Sequence, residues 1–250
     1  MPADLFKDSF NEYFESFRLA LSMGILLVFV LFFLLYSNAF ISSGSIFLAF
    51  AGKTANPLLF IIQLVGLLAF LLLYSFFVSL IVFAAKSKAE KRLYYLRDRL
   101  KKIVSKMLAF NALFVLVSML IGIALSQLLI PGQLTALVLL IISMLVFFVP
   151  QSIVVDEESL FTCFLKNIDF MLGNFNSWLL VLGVSILLVG ITPFIELAFD
   201  SLYFSGRFVS LILMLVIVIP FIEIMKTKAY IRKYPRPVED ESEAEHDTQQ

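Results

Sequence analysis

The chain has 250 residues, 61% of them hydrophobic and only 15% charged, with a mean hydropathy of +0.98. A soluble domain of that composition would carry apolar patches over most of its surface, so lipid must solvate much of the chain. The formal net charge is zero and there is one cysteine, which excludes an intramolecular disulfide and any cysteine-based zinc or iron–sulfur site.

Residues 1–18 place Leu5, Phe6, Phe10, Tyr13, Phe14 and Phe17 on one stripe, with Asp4 as N-cap, which predicts an amphipathic helix in the membrane interface. Asp4, Asp8, Glu12 and Glu15 oppose the basic n-region of a cleavable signal peptide, so the apolar run that follows is expected to remain as a spanning helix. A bilayer core about 30 Å thick is crossed by roughly 20 residues of helix. Six runs reach that length: Leu19 to Phe40, Leu58 to Ala85, Met107 to Ile130, Leu134 to Val154, Trp178 to Phe199 and Phe208 to Met225. None alternates with a period of two, so the predicted fold is all-α, a polytopic membrane bundle of six transmembrane helices over residues 19–233.

Two further amphipathic stretches interrupt the spans. One runs from about Lys88 to Lys106, with Leu93, Leu96, Leu100, Ile103 and Met107 on its apolar side and the option of continuing into the third span. The other is predicted to start at Asp156, with Glu157 and Glu158 in its first turn, and to present Leu160, Phe161, Phe164, Leu165, Ile168 and Leu172 before Gly173 ends it. Trp178 then anchors the fifth span at the interface. The chain reads as three units of interfacial helix plus transmembrane hairpin, beginning near Asp4, Lys88 and Asp156. Residues 234–250, acidic and almost free of apolar side chains, are predicted to be disordered.

Of the 19 lysines and arginines, only Lys53 and Arg207 fall on one side of this topology. The positive-inside rule then puts both termini and all three amphipathic helices on the cytoplasmic side of a cell membrane. Lys86, Lys88, Lys91, Arg92, Arg97, Arg99, Lys101, Lys102 and Lys106 crowd into one connection, where each cation near an anionic leaflet contributes roughly 1 kcal/mol. They are candidate contacts for anionic lipid headgroups or an acidic partner; a topogenic signal on a solvated helix face explains the same charges.

The stretch Phe148-Val149-Pro150, Ile153-Val154-Val155-Asp156-Glu157-Glu158, Phe164-Leu165-Lys166-Asn167 and Gly173-Asn174-Phe175 resembles a loose superfamily of polytopic prokaryotic membrane proteins. Its members include YciC-like proteins and the membrane domain that accompanies some glycerophosphodiester phosphodiesterases. The Leu129-Ile130-Pro131-Gly132 turn and the six-helix layout fit the same pattern. The resemblance covers about 50 residues and implies a fold and a prokaryotic setting; the phosphodiesterase's catalytic domain is absent, so it implies no hydrolase activity.

Isolated polar residues have structural readings beside functional ones. Glu223 near the end of the sixth span is expected to pair with Lys226, Glu196 and Asp200 to sit in an interface near Arg207, and Gln63 and Asn111 to hydrogen-bond between helices. Ala20 and Gly24, Ser118 and Gly122, and Gly183 and Gly190 are candidate close contacts, and Pro150, Pro193 and Pro220 candidate kinks. Cys163 and His246 lack neighbours that would give them a role. The expectation is a non-catalytic membrane subunit or leaflet-organising protein, with membrane lipids and other membrane subunits as partners, and neither nucleic acid nor a cofactor. The alternative is a small transporter or channel; an enzyme would need convergent acid–base or metal-binding side chains that the spans lack. The acidic residues from Glu239 to Asp247 are expected to compete with lipid for the basic stretch, so deleting them should raise binding to anionic vesicles at low salt, measured by co-sedimentation, and by less as salt is added.

Overall fold

The computed structural model describes residues 2–28, 41–42, 45–46, 57–90, 96–129, 131–202 and 206–234, excepting the side chains of 2–3, 41–42, 45–46, 57–64, 88–90, 96–98, 126, 133, 136 and 207. Helix α1 (Pro2–Glu15) is separated by Ser16 alone from α2 (Phe17–Ser22), which winds on through a 3-10 turn at Met23–Ile25. A two-residue antiparallel ladder joins β1 (Ile41–Ser42) to β2 (Ser45–Ile46). Then follow α3 (Pro57–Glu90), α4 (Leu96–Gln127), α5 (Gly132–Leu145), α6 (Val149–Val155), α7 (Leu160–Gly173) and α8 (Phe175–Ser201). The last span begins as α9 (Gly206–Ile212), passes through a π-helical segment (Leu213–Val218) and ends as α10 (Ile219–Lys233).

Among the described residues five stretches are long and apolar enough to cross a bilayer: Val65–Ser87, Arg99–Leu125, Leu137–Val155, Phe175–Ser201 and Phe208–Lys233. They coincide with the second to sixth expected spans. The first is helical and apolar over Phe17–Val28; its remainder, like the acidic tail, lies outside the described residues. The protein is thus an all-α bundle of membrane type. Its core is built around α3, α6 and α10, with α10 buried without interruption from Pro220 to Thr227. The outside is apolar too: only 6% of the most hydrophobic stretch of Arg99–Leu125 is buried within the protein, and Leu113, Leu116, Leu120 and Ile123 point outward. Lipid is the medium that would cover such a face.

The basic stretch continues into the third span, the option its sequence left open: of its described residues, 88–90 end α3 and 96–106 form the first turns of the uninterrupted α4, with no separate helix among them. The third amphipathic helix starts at Leu160 and not at Asp156, because Ser159 Oγ caps it by accepting the Thr162 N–H at 3.3 Å. Glu157 has φ 60°, a left-handed conformation that no α-helix includes. Of the small-residue pairs, Gly24 meets another span, with a Cβ there 3.8 Å from Val216 Cγ2, while Gly122, Gly183 and Gly190 face open space.

The stretch Leu137–Val155 is two helices and not one. It breaks at Val146–Phe148, and buried Asn167 of α7 fills the gap by accepting the Phe148 N–H at 2.9 Å and donating to Leu145 O at 2.5 Å. Pro150 restarts the helix in its first turn, where an N–H would have no partner. Pro193 lies inside α8 and Pro220 follows the π segment. Asn167→Leu strands both backbone groups and should lower stability by about 2–4 kcal/mol. Thermal unfolding in detergent checks this, with the exposed Asn176→Leu as a control that leaves the midpoint unchanged.

Candidate functional site

The apolar-Val-acidic stretch picked out in the sequence is the turn that leaves α6. The last carbonyls of a helix have no partner inside it; here a lysine from another span supplies their donor, and a second lysine from a further span serves the carbonyls of the turn. Lys86 of α3 is fully buried, and its Nζ donates to Val155 O at 2.9 Å, Val154 O at 3.3 Å and Glu157 Oε1 at 3.4 Å. Lys106 of α4 donates to Glu157 O at 2.6 Å and Glu158 O at 2.7 Å. Positive charge at a helix C-terminus is also favoured by the aligned peptide dipoles. Together the two ammonium groups hold Glu157 in its left-handed conformation.

The acidic side chains of the turn are engaged in their turn. Lys166 of α7 lies 3.4 Å from Asp156 Oδ2 and 3.0 Å from Glu158 Oε1, and Arg99 lies 3.5 Å from Glu157 Oε1. Asp156 also accepts the Tyr230 hydroxyl at 2.6 Å and that of Ser152 at 3.1 Å. Partial burial opposes the charge on Lys166, but the hydrogen bond to Glu158 and the Asp156 carboxylate outweigh it and raise the ammonium pKa. Beside the turn, Phe148, Phe170, Tyr230 and Tyr234 form a run of ring contacts with centroids 4.3, 5.5 and 5.1 Å apart. Tyr234 in turn donates to Asp169; that bond and Lys233 hold the Asp169 carboxyl below its usual range.

One turn deeper along α6, Gln151 Nε2 donates to Glu223 Oε2 at 2.6 Å. Lys226 pairs with the other oxygen of Glu223 at 2.8 Å and sits 4.6 Å from the centre of the Phe147 ring. Gln151 Oε1 is buried and has no hydrogen-bond partner among the described residues.

Of the nine candidate lipid contacts, Lys86 and Lys106 point into the protein, Arg99 is half exposed, and Lys101 and Lys102 are exposed. The side chains of Lys88, Lys91, Arg92 and Arg97 lie outside the description. The expected Glu223–Lys226 pair forms, and Asn111 Nδ2 donates to Ser75 Oγ at 2.8 Å, joining α4 to α3. Glu196 and Asp200 join α8 to the start of the last span, accepting the Ser210 hydroxyl at 3.1 Å and the Gly206 N–H at 2.8 Å. Cys163 is buried, and burial pushes its thiol pKa up, away from reactivity. Gln63's side chain and His246 lie outside the described residues. Sequence reasoning missed the inward role of Lys86, whose signal was its spacing: Val78, Val82 and Lys86 recur every four residues on the buried face of α3.

Among the described residues no group of three or more His, Cys, Asp or Glu side chains is placed to hold a metal ion. What the arrangement does is fix α3, α4, α6, α7 and α10 to one another at the basic end of the bundle. Lys86→Met should cost about 3 kcal/mol or more, since it leaves buried acceptors uncompensated. Lys101→Met on the exposed face of α4 should change stability by less than about 0.5 kcal/mol; comparative thermal melts in one detergent decide. No family model matches the sequence, and neither a curated protein nor a solved structure matches it.

Proposed function

We propose that the chain is a non-catalytic multi-pass protein of a prokaryotic cell membrane, with six spans and both termini in the cytoplasm. It organises the cytoplasmic leaflet or serves as the membrane subunit of a larger assembly. The observation that carries this reading is the gathering of exposed cations and outward apolar rows at one end of the bundle. Lys101 and Lys102 are exposed on α4; Phe6, Phe10 and Phe14 stand out from α1, Phe17 from the start of α2, and Phe161, Leu165, Ile168 and Leu172 from α7. Aromatic and aliphatic rows beside lysines suit helices lying in a headgroup region. The resemblance to the YciC-like superfamily supports the same setting.

The headgroup contact is narrowed to Arg99, Lys101 and Lys102, with Lys88, Lys91, Arg92 and Arg97 retained from the sequence, because Lys86 and Lys106 hold the turn after α6. A second reading, the small transporter or channel, draws on one observation: the buried Glu223–Lys226 pair with Gln151 inside the last candidate span. Solute flux in reconstituted vesicles, lost in Glu223→Gln, would favour it. For the first reading, native mass spectrometry of gently extracted protein should show retained anionic lipid, reduced several-fold by Lys101→Gln with Lys102→Gln, or a stoichiometric partner chain. Protein bare of both overturns it.

A further inference from the structure

The last span contains a backbone irregularity that α1 touches. Residue 220 is proline and has no N–H. Ahead of it the helix is underwound into the π form, with the Ile219 N–H bonding Met214 O; in that register the proline removes the donor for the Leu215 carbonyl. At the next carbonyl the Tyr13 hydroxyl of α1 donates to Val216 O at 3.1 Å. Around this bond α1 is tied to α10 along its length: Lys228 pairs with Glu12 at 2.6 Å and donates to Asp8 O at 2.8 Å, Arg232 pairs with Asp8 at 2.7 Å, and Phe6 meets the Phe221 ring edge-on at 5.5 Å.

The rest of α1 faces away from the protein. Leu5, Ser9, Glu12 and Tyr13 fill the side against α10, whereas Phe6, Phe10 and Phe14, continued by Phe17 of α2, are 41–57% exposed in an uncharged row. One residue, Ser16, links α1 to the apolar stretch Phe17–Val28, so α1 cannot move far from the membrane surface. That tether and the uncharged row single out the lipid leaflet as the occupant of this face.

We propose that α1 is a leaflet-docked strap whose phenylalanine row takes its position from headgroup packing and whose Tyr13 hydroxyl passes that position to the winding of the last span. The π segment ends one turn before Glu223, so its winding sets how Glu223 meets Gln151. π segments inside helices commonly mark such adjustable points. The inference deepens the leaflet-organising reading and rests on it, but it concerns packing and not headgroup charge. It is therefore tested in phosphatidylcholine vesicles alone, so a lack of anionic-lipid retention leaves this test unaffected.

The full chain is reconstituted into phosphatidylcholine vesicles of high and low curvature, and hydrogen exchange is followed at the amides of residues 221–226. Exchange is expected to quicken where lipid packing is looser. In Tyr13→Phe, which keeps the ring and loses the hydroxyl, exchange should be about three- to tenfold faster in both vesicles, with the packing response gone. Phe10→Ser with Phe14→Ser should abolish the response while leaving the slower exchange of the tightly packed case. In a separate Phe10→Trp, Trp178→Phe chain, brominated acyl chains should quench the new tryptophan. An unquenched tryptophan overturns the lipid face; exchange in Tyr13→Phe equal to that of the parent chain in both vesicles overturns the latch.

Discussion

Where α6 ends inside the bundle, peptide carbonyls that water would ordinarily solvate must find donors within the protein. Lys86 and Lys106 provide them, and the dependence is mutual, because an ammonium group removed from water needs acceptors as much as the carbonyls need hydrogen atoms. The chain can therefore turn sharply at Glu157 and set α7 against the break in the preceding span, where Asn167 repeats the same exchange with Phe148 and Leu145. Helices α3 and α7 each send a lysine into this turn, α4 sends Lys106 and Arg99, and Tyr230 of α10 closes it through Asp156. Apolar packing holds these helices together without direction; the polar clamp selects one arrangement of them.

Much of the fold was legible because length and hydropathy alone decide what can cross a bilayer. The five described candidate spans fall where the apolar runs fall, and Asn111 and Glu223 took the structural partners expected of them. The boundary at Asp156 was misread because three acidic residues in a row suit a helix start. They suit equally a turn held by lysines, and only Ser159, three residues before the Thr162 it caps, marked the true beginning. Lys86 was counted by charge, although its register with Val78 and Val82 placed it inside. Tyr13 and Pro220 are 207 residues apart, counted from their positions, and nothing local joins the Val216 carbonyl to so distant a hydroxyl.

The amphipathic helices show why a single stripe is an incomplete description at a membrane surface. Helix α7 buries Cys163, Asn167 and Phe170 against the protein and turns Phe161, Leu165, Ile168 and Leu172 outward. These four belong to the stripe expected to seek the interface, whose Leu160 and Phe164 instead pack on the protein, and the packed side includes an asparagine that hydropathy would have assigned to water. Helix α1 divides likewise, with Glu12 on its protein-facing side paired to Lys228. Such helices turn one face to the protein and a second, apolar face outward, with a narrow polar edge between them.

The unbroken course of α4 has a geometric corollary. Its 32 residues rise about 48 Å, whereas the hydrocarbon core is about 30 Å thick, so several turns stand clear of it. If Met107 marks the hydrocarbon boundary, Lys106 lies at that level, Lys102 and Lys101 about 7–9 Å above it, and Arg99 about 12 Å above it for an upright helix. The helix then acts as a graduated mast. Its lowest cation, Lys106, is retained by the protein, the next pair stands at the height of the phosphates, and Arg99, about 3–5 Å higher, still lies within the Debye length of about 8–10 Å. A leaflet at that depth would feel all three together, so one rigid helix presents its charge as a band about a single turn thick.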